Sequence, residues 1–520
     1  MVRAGTVEDV GGYARGAMGA MANLEIELKL HVPADRVAGV EAALGDPIRV
    51  TRIHLQAAYY DTPDRRLAAA GMAWRVRREG RRWVQTLKAS TPESDGMERE
   101  EHNVVVRCRG WPVADPSLHA GTPAGDRLAE LLATCPEPPV ERFRTDVWRR
   151  ERRLRVKGGH VVLAFDTGTI TAGDALTDVC ELEVELVSGS PQAVIDTASK
   201  WVTRHRLWLD TINKAQRGAL VADGVTSAPV ARGATPVLTA SMGLDAAVRE
   251  MVRACLVQVL RNTSAIANGF GDAEHVHMAR VGIRKMRTVL SEFGPLSPAV
   301  DPTWSASLGE VFARLGVSRD RDVLEAMAPT LAAAGAPVIT PPQDGDSAVD
   351  DPETVTRDPA FSLLALDLLG YVHGMPAPTE HDGRLVELAA EQLELLRRRS
   401  LRRPKRFATL PEPAQHSVRK RLKRLRYTAE LTASLFPARK VKRYVKTLAP
   451  AQETLGALND LCVARDTFRS LAEHEPAAWF AVGWLVARQE QAIANCVSPL
   501  RDAARARPYW AEVGTAAARR

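Results

Sequence analysis

Two periods of hydrophobic and polar positions divide this chain. Up to about Ala222 the apolar residues recur at every second position, the period of a strand. The strands so predicted are Leu24–Val32, Ile53–Tyr60, Ala73–Arg78, Arg82–Lys88, Asn103–Arg107, Thr145–Val156, Val161–Thr167 and Val179–Leu186. Helical spacing intervenes at Ala34–Leu44, Asp126–Ala133 and Ala193–His205. Several strands alternate bulk with charge. In Glu25-Ile26-Glu27-Leu28-Lys29 the charged residues leave one face and the apolar ones the other. Glu181, Glu183 and Glu185 do the same against Leu182, Val184 and Leu186, as do Arg75 and Arg77 against Trp74 and Val76. An antiparallel barrel whose inward positions are charged accounts for this pattern; an oily barrel does not.

Residues 224–237 are small and punctuated by proline, which reads as a linker. Beyond it the period is helical to the end, apart from a loop rich in Pro, Asp and Gly at 336–359. That loop separates two halves of an internal repeat. The first half carries His277, Arg280, Arg284 and Arg287, then Leu315-Gly316 and Arg319-Asp320. The second carries His416, Arg419, Lys423 and Arg426, then Leu455-Gly456 and Asn459-Asp460. Steps of three and four hold each His and its basic partners on one helical stripe, beside an apolar stripe. Two duplicated helical bundles, each presenting a cationic helix, are therefore expected. The fold class is α+β. Residues 1–22 form a leader, 23–222 the barrel domain, 223–238 the linker and 239–515 the helical domain. The leader is expected to be disordered, and Met21 is a second candidate start.

Composition narrows the chemistry. Charged residues make up 26% and the net charge is +7, modest for 520 residues, so local clusters matter more than the sum. Aromatics, at 5%, are too sparse for base stacking, and nucleic acid is not an expected partner. The six cysteines lack CxxC spacing and read as reduced thiols of a cytoplasmic protein, and no apolar run reaches membrane-spanning length. Two acidic strands facing one interior need cations, for which a hard divalent metal with oxygen ligands is the economical choice. With Asp166 they form an acidic patch for metal; Arg75, Arg77, Lys88, Arg149, Lys214 and Arg217 supply a cationic lining for a polyanion. Triphosphate needs both. The same alternation also fits a solvated sheet face on which Glu25, Glu27, Glu183 and Glu185 pair with nearby Arg and Lys. His277 and His416 lack the accompanying Cys, His or carboxylate cluster of a metal site. The basic runs Arg397–Arg399 and Arg402–Arg406 read as a solvated loop, and Arg319-Asp320 and Asn459-Asp460 as ties between helices.

Glu25-Ile-Glu27-Leu-Lys29 resembles the ExExK signature of CYTH domains, the triphosphate tunnel metalloenzymes. The likeness continues through Tyr59-Tyr60-Asp61-Thr62-Pro63, Gly71-Met-Ala-Trp-Arg75-Val-Arg77, Thr86-Leu-Lys88, Phe165-Asp166-Thr-Gly168, Glu183-Val-Glu185 and Asn213-Lys214-Ala-Gln-Arg217-Gly218. Trp74 and Asn213 depart from the usual aliphatic residue and Ser without removing a charge. The resemblance implies an eight-stranded antiparallel tunnel in which Glu25, Glu27, Glu183 and Glu185 bind Mg2+ or Mn2+. Lys29, Arg75, Arg77, Lys88, Arg149 and Lys214 would hold phosphates, with Glu25, Glu27 and Lys29 central to catalysis. Residues from about Leu244 to Val513 resemble the CHAD domain, which implies polyphosphate binding by His277, Arg280, Arg284, Arg287, His416, Arg419, Lys423 and Arg426. The expected activity is metal-dependent hydrolysis of inorganic triphosphate to pyrophosphate and phosphate. A tunnel acting on thiamine triphosphate or RNA 5′-triphosphate, one cyclising ATP, or a non-catalytic polyphosphate scaffold are the alternatives.

Overall fold

The computed structural model describes residues 24–45, 48–90, 94–108, 110–337, 339 and 351–511, without the side chains of 317–326. The leader and the centre of the 336–359 loop lie outside the described residues, as do the side chains of Arg319 and Asp320. Nine strands form one antiparallel sheet: β1 (Leu24–His31), β2 (Thr51–Asp61), β3 (Met72–Glu79), β4 (Arg82–Ala89), β5 (Glu98–Val106), β6 (Val140–Val156), β7 (Gly159–Ala172), β8 (Ala175–Gly189) and β9 (Trp208–Leu209). Their order is β5-β4-β3-β2-β6-β7-β8-β1-β9, and β1 also pairs with β5, which closes the first eight into a barrel. Closure is made by Glu25 opposite Arg99, while on its other edge β1 sets Glu27 opposite Glu185 and Lys29 opposite Glu183.

The helices in the first 231 residues are α1 (Val37–Leu44), α2 (Arg66–Ala69), α3 (Pro123–Ala133), α4 (Pro191–His205) and α5 (Lys214–Ala222). After them come α6 (Leu244–Ala267), α7 (Ala273–Glu292), α8 (Trp304–Ala333), α9 (Pro352–Thr356) and α10 (Pro359–His373). The chain ends in α11 (Leu385–Leu401), α12 (Glu412–Leu431), α13 (Ala438–Leu471) and α14 (Ala478–Arg505). Two compact units result. One holds the barrel together with residues 259–275 and 356–374; the other holds 232–258, 276–355 and 375–520.

In the barrel unit the usual arrangement is inverted. Leu28, Leu30, Leu182 and Val184 are buried on the outer surface, where α4 supplies Val194, Ala198 and Val202. Helix α10 packs in turn on α4 and on β9, where the Leu209 amide donates to Ser362 Oγ at 3.0 Å. On another side α2 and α3 cover Met72, Trp74 and Leu87 with Leu67, Ala124 and Leu128. Part of the interior is apolar, formed by Leu55, Tyr59, Phe143, Val147, Ile170 and Val179, and the rest is charged.

The helical unit has one large core that joins Leu393 and Leu396 of α11, Leu422 and Leu425 of α12, Leu448 and Leu455 of α13, and Cys496 and Leu500 of α14. The duplicated basic segments are both helices, α7 and α12. Gly316 of α8 shows what the repeated Leu-Gly step does in the first half. A Cβ there would lie 2.2 Å from Arg280 Nη1, so only glycine leaves room for that guanidinium.

Helix α5 begins where it does because Asn213 and Gln216 form a reciprocal cap. Asn213 Oδ1 accepts from the Gln216 amide at 2.9 Å and Gln216 Oε1 accepts from the Asn213 amide at 3.0 Å. The helix then lies against the barrel at Gly218, where a Cβ would meet the Phe143 ring at 2.2 Å. Gly218→Ala is therefore expected to push α5 outward and to lower stability by roughly 1–3 kcal/mol, as overpacked sites do. Thermal unfolding checks this; an unchanged melting temperature would show that the ring has room to yield.

Candidate functional site

The charged part of the barrel is a cavity of about 240 Å3. Six carboxylates line it (Glu25, Glu27, Glu101, Asp166, Glu183, Glu185) and six cations face them (Arg75, Arg77, Lys88, Arg99, Arg149, Lys214). The strand pleat puts them there. On β3 Arg75 and Arg77 point inward, on β8 Glu183 and Glu185, and on β5 Arg99 and Glu101. Lys214 enters from the first turn of α5.

Five of the six carboxylates pair with a cation of the lining. Lys88 Nζ lies 2.6 Å from Glu25 Oε2 and 3.4 Å from Glu101 Oε2. Arg99 Nε donates to Glu25 Oε2 at 3.0 Å, and the same guanidinium contacts Glu27. Arg149 grips Asp166 in a two-pronged contact of 2.8 and 2.7 Å and also reaches Glu183. Lys214 Nζ lies 2.7 Å from Asp166 Oδ2 and 2.9 Å from Glu183 Oε1, and contacts Glu181. Arg75 differs, for its Nη1 donates to the Tyr59 hydroxyl at 3.1 Å.

Burial pushes the Glu25 carboxyl up, yet Lys88 and Arg99 outweigh it and bring it down to about 2. For Glu183 and Asp166 burial acts the same way, and Arg149 and Lys214 override it, holding both below the usual carboxylate range. Glu185 shows the opposite balance. Burial, with Glu25 and Glu183 as negative neighbours, pushes it up to about 7. Arg77 is lowered by burial and by Arg75 beside it.

The barrel thus brings together ten of the residues singled out in the sequence and sets two others apart. Glu25, Glu27, Arg75, Arg77, Lys88, Arg149, Asp166, Glu183, Glu185 and Lys214 share the cavity. Lys29 is buried beyond its lining, and its Nζ donates to the Ile212 carbonyl at 2.9 Å. Arg217 is buried too, with Nη2 on Asp210 Oδ2 at 2.9 Å and Asn268 Oδ1 at 3.1 Å. Sequence reasoning passed over Arg99 and Glu101, and it noted Glu181 on the acidic strand without assigning it to the metal patch. Glu181 sits in phase with Glu183, and with Asp166 these three offer ligand oxygens within 4.8 Å of one another.

In the helical unit the two basic stripes meet. Arg280 of α7 is buried, donating to the Phe312 carbonyl at 2.9 Å with its guanidinium 4.1 Å over that ring. Arg284 lies 5.0 Å over the same ring and 3.4 Å from the Tyr427 hydroxyl on α12. Lys285 pairs with Glu430 at 3.0 Å and Arg424 with Glu292 at 3.3 Å, which ties α7 to α12. Burial lowers the Arg287 guanidinium, and so do Arg424 and Arg284 beside it, so three cations converge there. Arg424 was not part of the stripe expected from spacing. Arg426 turns to Glu430 at 2.6 Å and Gln452 at 2.8 Å. His277 and Lys423 are half-buried, and His416 and Arg419 line a second cavity of about 280 Å3 with Glu412, Asn459 and Asp466.

A closed eight-stranded barrel with an acidic and cationic interior, followed by duplicated helices, defines the class of protein. Residues 23–219 match the CYTH domain and residues 250–469 the CHAD domain, and the chain belongs to the proteins that join the two. An inorganic triphosphatase of Haemophilus influenzae is 28% identical over 207 residues, which cover 38% of this chain and 54% of the relative. The chain thus spans about half the length of that curated relative. The CHAD domain from the plant Ricinus communis is 25% identical, covering 54% of this chain and 97% of its own, with a TM-score of 0.44. A putative adenylyl cyclase from Hippeastrum, described as having a dominant triphosphatase activity, is 18% identical and covers 38% of this chain and 96% of its own, at a TM-score of 0.29. Among the described residues no helix is long and apolar enough to cross a membrane.

Removing Arg149 tests the charge balance. Asp166 and Glu183 have native pKa values below their unfolded ones, so their contribution is present above about 4.5 and lost as pH falls. Arg149→Met is expected to cost on the order of 3 kcal/mol near neutral pH, because it strands buried carboxylates. Its deficit against the unaltered chain should shrink in acid. Urea midpoints at neutral pH and below pH about 4 measure this. A deficit that grows in acid would contradict it.

Proposed function

We propose that the barrel hydrolyses inorganic triphosphate to pyrophosphate and phosphate with Mg2+ or Mn2+, and that the helical unit binds inorganic polyphosphate. The observation that carries the first part is the enclosed lining of six carboxylates against six cations. A chain of phosphates needs several guanidinium and ammonium groups in reach, and an oxygen-binding metal needs carboxylates beside them. Buried Glu181 supports the fit, since its Oε2 has no hydrogen-bond partner among the described residues. Such an oxygen is costly unless a cation completes it. Asp166, Glu181 and Glu183, with Glu25, Glu27 and Glu185 nearby, are the residues that would hold the metal. When bound, a divalent ion polarises phosphorus–oxygen bonds and lowers the pKa of bound water.

The chain's own residues supply the rest. Arg99, Arg149, Lys88 and Lys214 are held by carboxylates and exchange those partners for phosphate oxygens. Arg75 and Arg77 grip phosphate from β3. Water attacks the terminal phosphorus, the bond to the bridging oxygen breaks and pyrophosphate leaves. Glu185, raised to about 7 by burial and its acidic neighbours, is the carboxylate suited to take the proton of that water near neutral pH. In the helical unit, convergence of Arg284, Arg287 and Arg424 between α7 and α12 supports binding of a multivalent anion.

The purified chain should release phosphate and pyrophosphate in equal amounts from tripolyphosphate, only with Mg2+ or Mn2+ present, and form no cyclic AMP from ATP. Glu25→Gln and Glu27→Gln should each lower turnover about a hundredfold or more at saturating metal, as loss of a group at the reacting centre does. Turnover near that of the unaltered chain in both variants would overturn the reading. Polyphosphate binding should weaken steeply with salt and fall further in the Arg284→Glu, Lys423→Glu double variant than in either single one. Equal affinity for duplex DNA would reduce the helical surface to a generic basic one.

A further inference from the structure

We propose that residues 259–275 and 356–374, although they lie far downstream of the barrel strands, are positioning elements of its phosphate site, acting through His373 on Arg99 and through Ser264 on Lys214. This rests on the reading of the barrel as a triphosphate site. Both segments belong to the compact unit of the barrel. They do more than cover its apolar exterior, because each fastens one of the two short segments from which a cavity cation projects.

The first is residues 94–98, the turn that leads into β5. His373, at the end of α10, has Nε2 2.8 Å from Asp95 Oδ2 and Nδ1 3.2 Å from Glu98 Oε1. Asp95 is buried, and its other oxygen accepts the Met97 amide at 3.0 Å. The Met97 carbonyl accepts the amide of Glu27 at 2.9 Å. Arg261 Nη2 donates to the Ser94 carbonyl at 3.0 Å, so the neighbouring helix holds the same turn from its start. One residue past Glu98 stands Arg99, opposite Glu25 in the register that closes the barrel. The path from His373 to the Glu25–Arg99–Glu27 contact is therefore an unbroken run of hydrogen bonds and two covalent steps.

The second is residues 211–217, which carry Lys214. Ser264 Oγ accepts the Thr211 amide at 2.9 Å and lies 3.0 Å from Thr211 Oγ1. Asn268 Oδ1 accepts from Arg217 at 3.1 Å. Between these ties lie the Ile212 carbonyl that receives Lys29 and the cap that starts α5. Thr211 and Arg217 bracket Lys214, so the orientation of its ammonium toward Asp166 and Glu183 depends on residues from α6 and the turn after it.

Protonated His373 donates from both nitrogens, and Asp95 and Glu98 are the charged groups that face it. Burial works against its charge, but those two carboxylates raise it to about 9. Folding therefore gains from this pair below the unfolded value of 6.5, and the gain is lost as pH rises through about 9.

The test uses the full-length chain and the variants His373→Ala, His373→Gln and Ser264→Ala. Amide exchange of Glu27 and of residues 94–103 is followed by mass spectrometry, and tripolyphosphate affinity by calorimetry beside KM and kcat. In His373→Ala those amides should exchange about tenfold faster with the rest of the barrel unchanged, and KM should rise about tenfold with kcat within about threefold. His373→Gln, which keeps a donor to Asp95, should recover part of both. In the unaltered chain the same amides should loosen between pH about 8 and 10 after correction for intrinsic rates, and His373→Ala should lack that step. Ser264→Ala should loosen 211–217 and weaken tripolyphosphate binding in the same way. Unchanged exchange and unchanged affinity in His373→Ala and Ser264→Ala would overturn the proposal. So would uniform loosening of the whole barrel, which marks a general loss of stability. Should the unaltered chain neither bind nor hydrolyse tripolyphosphate, the functional reading fails, while the exchange data still decide whether these helices hold the two segments.

Discussion

Charge of both signs enclosed in a barrel has to be neutralised side chain by side chain, because the low-dielectric wall offers little else. Moving one ion there without a partner costs several kcal/mol even after relaxation. The interior meets this with pairs that share members: Lys88 and Arg99 on Glu25, Arg149 and Lys214 on both Asp166 and Glu183. Sharing matters more than any single contact. A lost partner leaves each neighbour still partly compensated, and an incoming cation or anion can displace one contact at a time. Under the proposed function, a cation and a polyanion entering together keep this balance. Either one by itself would leave a surplus of like charge behind.

The same constraint explains why the barrel's apolar residues lie outside. With Glu25, Glu27, Glu183 and Glu185 taking the inward positions, pleat geometry sends Leu28, Leu182 and Val184 outward. A barrel that is greasy on its outer face has to be covered, and α4 and α10 do so. Residues 356–374, which include α10, join the barrel unit on this account, and residues 259–275 are tied to it through Ser94 and Thr211. A chain boundary drawn where composition changes, near the 224–237 linker, does not coincide with the division by packing.

Most of the strands were legible because period-two alternation survives whichever face is charged. What escaped follows from the same rule. Glu98-Arg99-Glu100-Glu101-His102 contains no apolar residue, so the alternation that marks a strand is silent there, and β5 begins at Glu98 instead of Asn103. Arg99 and Glu101 were lost with it. Glu181 was legible as an acid in phase with Glu183, though not as one of the group whose oxygens lie within 4.8 Å of Asp166. The depth of Lys29 and Arg217 was not readable, since inward direction is a matter of parity while distance along the barrel is a matter of register with β8 and α5. Arg424 joined Arg287 through the packing of α7 on α12, which no single-helix stripe reveals.

Under the proposed function the two units meet phosphate in different ways, and the difference has consequences for selectivity. In the barrel Lys88, Arg99, Arg149 and Lys214 are buried against carboxylates, so salt screens them little and entry is limited by the size of the cavity. Between α7 and α12, Glu292 and Glu430 take Arg424 and Lys285 as partners. Arg280 and Arg284 lie over the Phe312 ring, whose face attracts a cation. Under the proposed function, the convergence of Arg284, Arg287 and Arg424 suits a long linear anion whose many weak contacts add, whereas the barrel suits a short one that replaces specific partners. On that proposal, chain length more than charge distinguishes a ligand of one unit from a ligand of the other.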